Sequence, residues 1–296
     1  MVKVTERCFE STGRTTFICD YSPPRGGATE AFVRPSVDAD FISVAYNPGK
    51  AVRVNSAMLA AFIRYDGRHN GDHNGEREVT FTLATRDMNK LALQSVLLGA
   101  QLLGLENVVV VQGDPFTQRD LQRVKDVGDY TATGLIAAIT GMNQGTDYRE
   151  GQLRAPTGFC IGATLDLTRD IQQEARLAHR KVEAGAHFLI TQPIFDVAEA
   201  QRLKETYAEL SGQELDLPVF FGLQVLEKDG IIFSSVPEQV RRELDQDRSG
   251  VDIALELYQR FREAGLNNIY LVPPIRRGGA RNYAAAQAVL AGAGRT

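Results

Sequence analysis

Eight short apolar runs, each ending in polar or turn residues, recur along this chain of 296 residues. Most gaps between them hold apolar residues at helical spacing that end at a glycine. One such pattern spans 87–103, with Asp87 as its expected cap and Gly104 after its end, and another spans 167–184 before Gly185. A strand, a helix, a glycine and another strand are typical of βαβ units with parallel strands. The eight runs are 15–24, 40–48, 78–86, 107–115, 158–166, 188–196, 218–226 and 267–275.

The number of runs and the chain length together favour a closed barrel. A (β/α)8 TIM barrel uses roughly 250 residues as one domain, so we expect a single α/β barrel domain over 1–296. An open, doubly wound sheet of eight strands is the alternative. No linker rich in proline, glycine or serine divides the sequence, and no repeat of fixed period is visible.

Charge and apolar patterning exclude several classes of function. The net charge of −4 gives no basic footprint for nucleic acid or an anionic membrane. No apolar run approaches the roughly 20 residues of a membrane helix, and the first residues lack the core of a signal peptide. The three cysteines show no metal spacing, and two fall within apparent strands, which favours a cytoplasmic protein with buried thiols. The segment 65–78, rich in glycine and histidine, is expected to be a solvated loop rather than a metal site.

Polar side chains gather at the ends of the strands, where a barrel of this type carries its active groups. Asp20 and Asp114 end different strands and are expected to converge on one ligand, a carboxylate pair that would also suit glycoside chemistry. Asp166 and Asp196 are better explained as caps of the following helices. Gln192 lies between apolar residues and is as well explained by a ligand as by structure. The polar strand ends also include Asn47, Thr82, Thr85, Gln112, Thr164 and Gln224.

Five segments at or beside the strand ends carry distinctive residue patterns. They are DYSPPR at 20–25, VTFTLATRD at 79–87, NVVVVQGDP at 107–115, RKVEAGAHFLITQPIFD at 180–196 and PVFFGLQVL at 218–226. These segments resemble the methylenetetrahydrofolate reductase family, and the resemblance runs over most of the chain. The most specific is 180–196, which is similar to the family pattern RKVxAGAxxxITQxxFD.

The resemblance implies a barrel that binds FAD at the carboxyl ends of its strands. It further implies that NAD(P)H is a co-substrate and that 5,10-methylenetetrahydrofolate and 5-methyltetrahydrofolate are interconverted. The alternative is a flavin-independent or flavin-poor protein that binds a pterin, or transfers a methyl group, on the same barrel. Either reading involves a small molecule of the tetrahydrofolate type and is compatible with a homo-oligomer or a partner subunit.

The resemblance also implies roles for individual residues. Asp20 would be the general acid for the folate, and Asp114 would stabilise the cation that forms on it. Gln192 and Gln224 would bind the substrate. The residues in register with flavin contacts are Thr82, Gln112, Gly113, Glu174, Arg180, Lys181 and Ala186.

Four positions depart from the family pattern. Asp20 is one methylene shorter than the family glutamate, and Gln112 replaces an arginine that holds FAD. The fifth strand has Ile161 and Leu165 where a tyrosine and a histidine flank the flavin. We therefore expect FAD to bind more weakly than in typical members.

Overall fold

A computed structural model describes residues 1–11, 13–69, 77–232, 236–276 and 279–294, without the side chains of residues 31 and 66–69. In this part of the chain, eight parallel strands form a closed barrel in chain order. The predicted (β/α)8 barrel is therefore confirmed, and the alternative of an open sheet is wrong. The strands are β1 Thr16–Tyr21, β2 Phe41–Val44, β3 Val79–Ala84, β4 Asn107–Val111, β5 Cys160–Leu165, β6 Phe188–Pro193, β7 Val219–Gln224 and β8 Asn268–Val272.

Helices surround the barrel, and most begin at a polar cap. Asp87 was expected to cap the third helix, but Asn89 does so, with its side chain accepting a hydrogen bond from the backbone of Ala92. Asp196 caps its helix as predicted, whereas Asp170 rather than Asp166 caps the preceding one. The helices are α1 Val4–Glu10, α2 Ser56–His69, α3 Lys90–Leu102, α4 Gln118–Leu121, α5 Ala132–Asn143, α6 Ile171–Glu183, α7 Val197–Ser211, α8 Glu238–Asp245, α9 Gly250–Glu263 and α10 Tyr283–Gly292.

Side chains inside the barrel form a core distinct from the one between barrel and helices. Phe188 and Phe220 pack edge to face in this inner core. Gly162 makes room for them, because a Cβ there would lie 2.3 Å from the Phe188 ring. Val4 of α1 belongs to the same core, and its backbone N–H donates to the Asn107 side chain. Helix α1 therefore closes the barrel at the amino ends of the strands.

Other expectations concern the thiols, the segment 65–78 and membranes. Cys19 and Cys160 are buried as predicted, and burial raises the pKa of Cys8 to about 12. Residues 65–69 of the expected loop belong instead to α2, and residues 70–76, half of that segment, lie outside the described residues. Among the residues that are described, no cluster of potential metal ligands occurs, and no helix has the length and apolar character to cross a membrane.

Candidate functional site

A cavity of about 220 Å³ opens at the carboxyl ends of the strands, opposite the end closed by α1. This is the end at which barrels of this type carry their active sites. Because side chains alternate along a strand, the inward positions of successive strands meet here. The polar part of the cavity wall includes Asp20, Ser43, Thr82, Gln192, Tyr270 and Arg281.

Asp20 is buried at the cavity wall and is held by two partners. The Arg281 guanidinium donates to Oδ2 through Nε at 3.0 Å and Nη2 at 2.8 Å. The Tyr270 hydroxyl donates to Oδ1 at 3.0 Å. Arg281 is only 5 % exposed, so this ion pair is shielded from water. Both carboxylate oxygens of Asp20 therefore accept hydrogen bonds within the fold, and its expected role as general acid stays a prediction.

Tyr270 extends the polar contacts downwards into the barrel. Burial, followed by the adjacent Asp20 carboxylate, raises the pKa of Tyr270 well above its ordinary value. The phenol therefore stays protonated and acts as a donor. Ser43 lies within hydrogen-bonding reach of Tyr270 and accepts a hydrogen bond from Thr80 at 2.9 Å. The contacts that run from Thr80 through Ser43 to Tyr270 fix the orientation of the Asp20 carboxylate.

An irregularity in β6 directs Gln192 into the site. The register with β7 shifts between Ile190 and Pro193. The Thr191 hydroxyl fills the gap by accepting from the Gly222 backbone at 3.0 Å and donating to the Gln192 carbonyl at 2.8 Å. Bulges of this kind re-aim side chains next to active sites. The Gln192 side chain is exposed and lines the cavity, in agreement with its predicted contact with a ligand.

Gln224 is buried at the end of β7 and is not part of the cavity wall. Its Nε2 donates to the Ile231 carbonyl at 3.1 Å. Its Oε1 has no hydrogen-bond partner within the part of the chain that the structure describes. The predicted role of Gln224 in substrate binding stays a prediction.

Asp114 lies at the predicted end of its strand but outside the cavity wall. The residue is exposed, and its carbonyl accepts a hydrogen bond from Arg86 Nη1 at 2.7 Å. Arg86 is held in turn by Asp87 and stacks over the ring of Phe116 at 4.4 Å. The structure therefore does not bring Asp114 and Asp20 together on one cavity wall.

The two residues before Asp114 are engaged within the fold. Gln112 is exposed, and its side-chain oxygen accepts from the Ala132 backbone in the first turn of α5 at 3.3 Å. Gly113 has a φ of +84°, and a Cβ there would lie 3.3 Å from Ala84 and Arg86. Both residues thus help to fix the conformation of the loop after β4.

Two further positions predicted to bind FAD are buried between β5 and α6. Lys181 is 4 % exposed, and its ammonium donates to the Thr164 carbonyl at 2.5 Å. Glu174 is equally buried and accepts a hydrogen bond from the Asp166 backbone at 3.1 Å. Burial lowers the pKa of Lys181 to about 8, an effect that the Glu174 charge partly opposes. Both charged groups therefore make their hydrogen bonds within the fold and do not face the cavity.

Lys181→Met is expected to remove a pH-dependent part of the stability. The pKa of Lys181 is about 8 in the folded state and 10.5 in the unfolded chain, so between these values only the unfolded chain keeps the proton. The free energy of unfolding therefore rises as pH increases through this window, while below it the folded state carries the full cost of the buried charge. From pH 7 to about 9.5 the unmodified chain should gain about 2 kcal/mol relative to the variant. Urea unfolding at each pH measures this difference.

Lys204→Met, at an exposed lysine of α7, is the matched control and should show no such divergence. If the curves for Lys181→Met and the unmodified chain stay parallel over this pH range, the pKa of Lys181 is not lowered in the folded state.

The remaining flavin-register residues also lie away from the cavity. Arg180 is exposed in the last turn of α6, and Ala186 is buried just beyond that helix, where its backbone donates to the Lys181 carbonyl. Within the set predicted to bind FAD, only Thr82 lines the cavity.

Two central residues of the site could hardly be recognised from the sequence. Arg281 follows the eighth apolar run, 267–275, by six positions, and nothing local indicates that it reaches Asp20. Tyr270 occupies an inward position of β8 and resembles any aromatic strand residue. A polar side chain at an inward position near a strand end was the available signal.

Two solved structures and one protein family are similar to this chain. A solved structure described as an uncharacterized protein from Clostridium thermocellum that binds two copies of 5-methyl-5,6,7,8-tetrahydrofolic acid is 14% identical, with 97% of each chain covered and a TM-score of 0.61. A putative deoxyribose-phosphate aldolase from Toxoplasma gondii ME49 is 13% identical, with 89% of this chain and 91% of that chain covered and a TM-score of 0.47. The sequence pattern of methylenetetrahydrofolate reductase matches residues 5–229. Because that match spans most of the sequence, the chain belongs to the methylenetetrahydrofolate reductase family.

Proposed function

We propose that this protein binds a reduced folate with the pterin ring in the cavity beside Asp20. The observation that carries the proposal is the Asp20 carboxylate, which lines the cavity and is oriented by Arg281 at Oδ2 and by Tyr270 at Oδ1. These contacts leave an acceptor site of the carboxylate for an N–H donor of a ligand, such as the 2-amino group or the ring N3–H of a pterin. Carboxylates form strong, directional hydrogen bonds to such donors.

The size of the cavity supports a ring rather than a whole cofactor. Its volume of about 220 Å³ is below the roughly 300–1,000 Å³ of sites for drug-sized ligands. A bicyclic ring fits this volume, and the p-aminobenzoyl-glutamate tail would extend towards solvent. The apolar walls from Val109 and Ile190 suit the faces of the ring.

Family membership supports the same class of ligand. The solved structure from Clostridium thermocellum, which shares the fold at low identity, is described as binding 5-methyltetrahydrofolate. The ligand class therefore agrees with the family, although the residues that contact it need not be shared.

Two of the residues in register with flavin contacts do not fit FAD. Phosphate groups need cations that are free to meet them, but Lys181 is buried on the Thr164 carbonyl. Gln112 supplies no charge and contacts the first turn of α5 instead. We therefore propose that the protein handles the folate without a resident flavin. The flavin-dependent reduction by NAD(P)H, implied by the resemblance, stays a prediction.

Isothermal titration calorimetry with 5-methyltetrahydrofolate tests the proposed ligand. Saturable binding with one pterin at the cavity is expected, and loss of that binding in Asp20 variants assigns it to this site. A protein that binds neither 5-methyltetrahydrofolate nor 5,10-methylenetetrahydrofolate would refute the proposal.

The protein is expected to purify without visible flavin absorbance and to show no change of FAD fluorescence on titration. The reason is that the buried Lys181 and neutral Gln112 cannot supply the phosphate contacts of the family. Retention of stoichiometric FAD would show instead that other residues hold the phosphates, and it would restore the flavin-dependent reductase reading.

A further inference from the structure

Two arginines beside the cavity have no carboxylate partner. Within the described residues, neither Arg25 nor Arg53 forms an ion pair, whereas Arg281 is neutralised by Asp20. Arg25 is exposed, and Arg53 is partly buried. An unpaired, partly desolvated guanidinium is costly unless an anion binds it.

Backbone contacts place these arginines at the carboxyl end of the barrel. Arg53 Nη1 donates at 2.7 Å to the carbonyl of Pro23, which follows β1. The neighbouring Val54 N–H donates to the Pro24 carbonyl at 3.0 Å, which fastens the segment of Arg25 against that of Arg53.

The loop after β8 brings Arg53 close to the cavity wall. Gly279 has a φ of +87°, and a Cβ there would lie 2.8 Å from Arg53 Nη2. The same loop carries Arg281, which lines the cavity. The charges of Arg25 and Arg281 both act on Arg53, so the three guanidinium groups lie near one another, beside the part of the cavity wall formed by Arg281.

The surroundings of the Arg53 guanidinium favour binding of an anion. Its Nε is buried and has no hydrogen-bond partner among the described residues. Burial, followed by the like charges of Arg25 and Arg281, lowers the pKa of its guanidinium. An N–H donor without an acceptor, in a cluster of like charges, is relieved by a bound carboxylate or phosphate.

We propose that Arg25 and Arg53 form an anion subsite that binds the glutamate carboxylates of the folate tail. This inference rests on the proposed function, since a pterin ring in the cavity directs its tail outwards over the edge. The Arg53 guanidinium is held in place by its hydrogen bond to the Pro23 carbonyl, and Arg25 adds an exposed positive charge near it.

Two ligands separate the tail from the ring. Calorimetry compares 5-methyltetrahydrofolate, which has the carboxylates, with 6-methyltetrahydropterin, which lacks the tail. Arg53→Met is expected to weaken binding of the folate at least about tenfold and to leave binding of the tail-less pterin unchanged. Arg53→Lys should retain more folate affinity than Arg53→Met, because it keeps the charge.

Arg25→Met tests for a purely structural effect, because this exposed side chain forms no hydrogen bond or ion pair with the described residues. It should lower folate affinity several-fold and reduce the sensitivity of binding to salt. Arg176→Met, at an exposed arginine of α6, is the matched control and should change neither ligand.

Equal weakening of both ligands in Arg53→Met, or no change in either arginine variant, would overturn the anion subsite while leaving folate binding intact. Loss of NADPH binding in place of folate binding would assign the arginines to a dinucleotide phosphate and would also overturn it. Failure of the unmodified protein to bind either pterin would overturn this inference together with the proposed function.

Discussion

Asp20→Asn is expected to weaken binding of 5-methyltetrahydrofolate about a hundredfold. The substitution removes the charge from a buried acceptor while keeping its shape, and a hydrogen bond to a charged group contributes about 1.5–3 kcal/mol. An amide also offers a donor where the pterin presents donors of its own, which adds repulsion. Calorimetric titration of the folded variant measures the loss.

The buried Arg281 complicates this variant and dictates its controls. Without the Asp20 charge, Arg281 loses this buried ion pair, and breaking such a pair typically destabilises a fold by about 3–5 kcal/mol. The double variant Asp20→Asn with Arg281→Gln removes both charges and should recover stability without recovering affinity. Asp216→Asn, at an exposed aspartate far along the chain, should change neither. Near-normal affinity in a folded Asp20→Asn protein would mean that the pterin is anchored elsewhere.

Gly222→Ala is expected to lower the melting temperature by about 5–10 °C and to reduce folate affinity with it. A Cβ at this position would lie 2.6 Å from the Pro193 nitrogen and 2.7 Å from the Gln192 carbonyl. These are backbone atoms of the β6 bulge, so no side-chain rotation relieves the contact. Overpacking typically costs about 1–3 kcal/mol, and about 2–4 °C corresponds to each kcal/mol in a chain of this size. Thermal unfolding followed by circular dichroism gives the shift.

Gly99→Ala provides the matched control for the glycine substitution. Gly99 lies within α3, and a Cβ there meets no atom within 4 Å. Alanine in a helix interior is about 0.5–1 kcal/mol more favourable than glycine. Gly99→Ala should therefore raise the melting temperature slightly. If the two variants melt alike, the close approach at Gly222 is relieved by movement of β6.

The barrel could be predicted from the sequence because its signal is local and repeated. A short apolar run indicates each strand, and apolar residues at helical spacing followed by a glycine indicate most helices. Even so, Asp87 was expected to be a cap that is in fact supplied by Asn89, since several polar residues in a row leave the start of a helix ambiguous.

The site was predictable only in part, because its central contacts join distant positions. The inward position and polar character of Asp20 indicated a functional residue, but its ion pair with Arg281 depends on how a loop folds back over the barrel. Lys181 shows the opposite problem. Its pattern alone indicated a structural residue, the family resemblance favoured a phosphate contact, and the structure buries it on the Thr164 carbonyl.

The ion pair between Asp20 and Arg281 spans 261 positions of the chain. Strand β1 pairs with β2 on one side and with β8 on the other, so one of its edges stays unpaired until β8 has been synthesised. During translation, an unpaired strand edge is open to association with other chains. Ring closure also sets a high contact order, which slows folding. A nascent chain that stops before β8 therefore holds an open sheet, and one that stops between β8 and Arg281 lacks the ion pair that orients the Asp20 carboxylate.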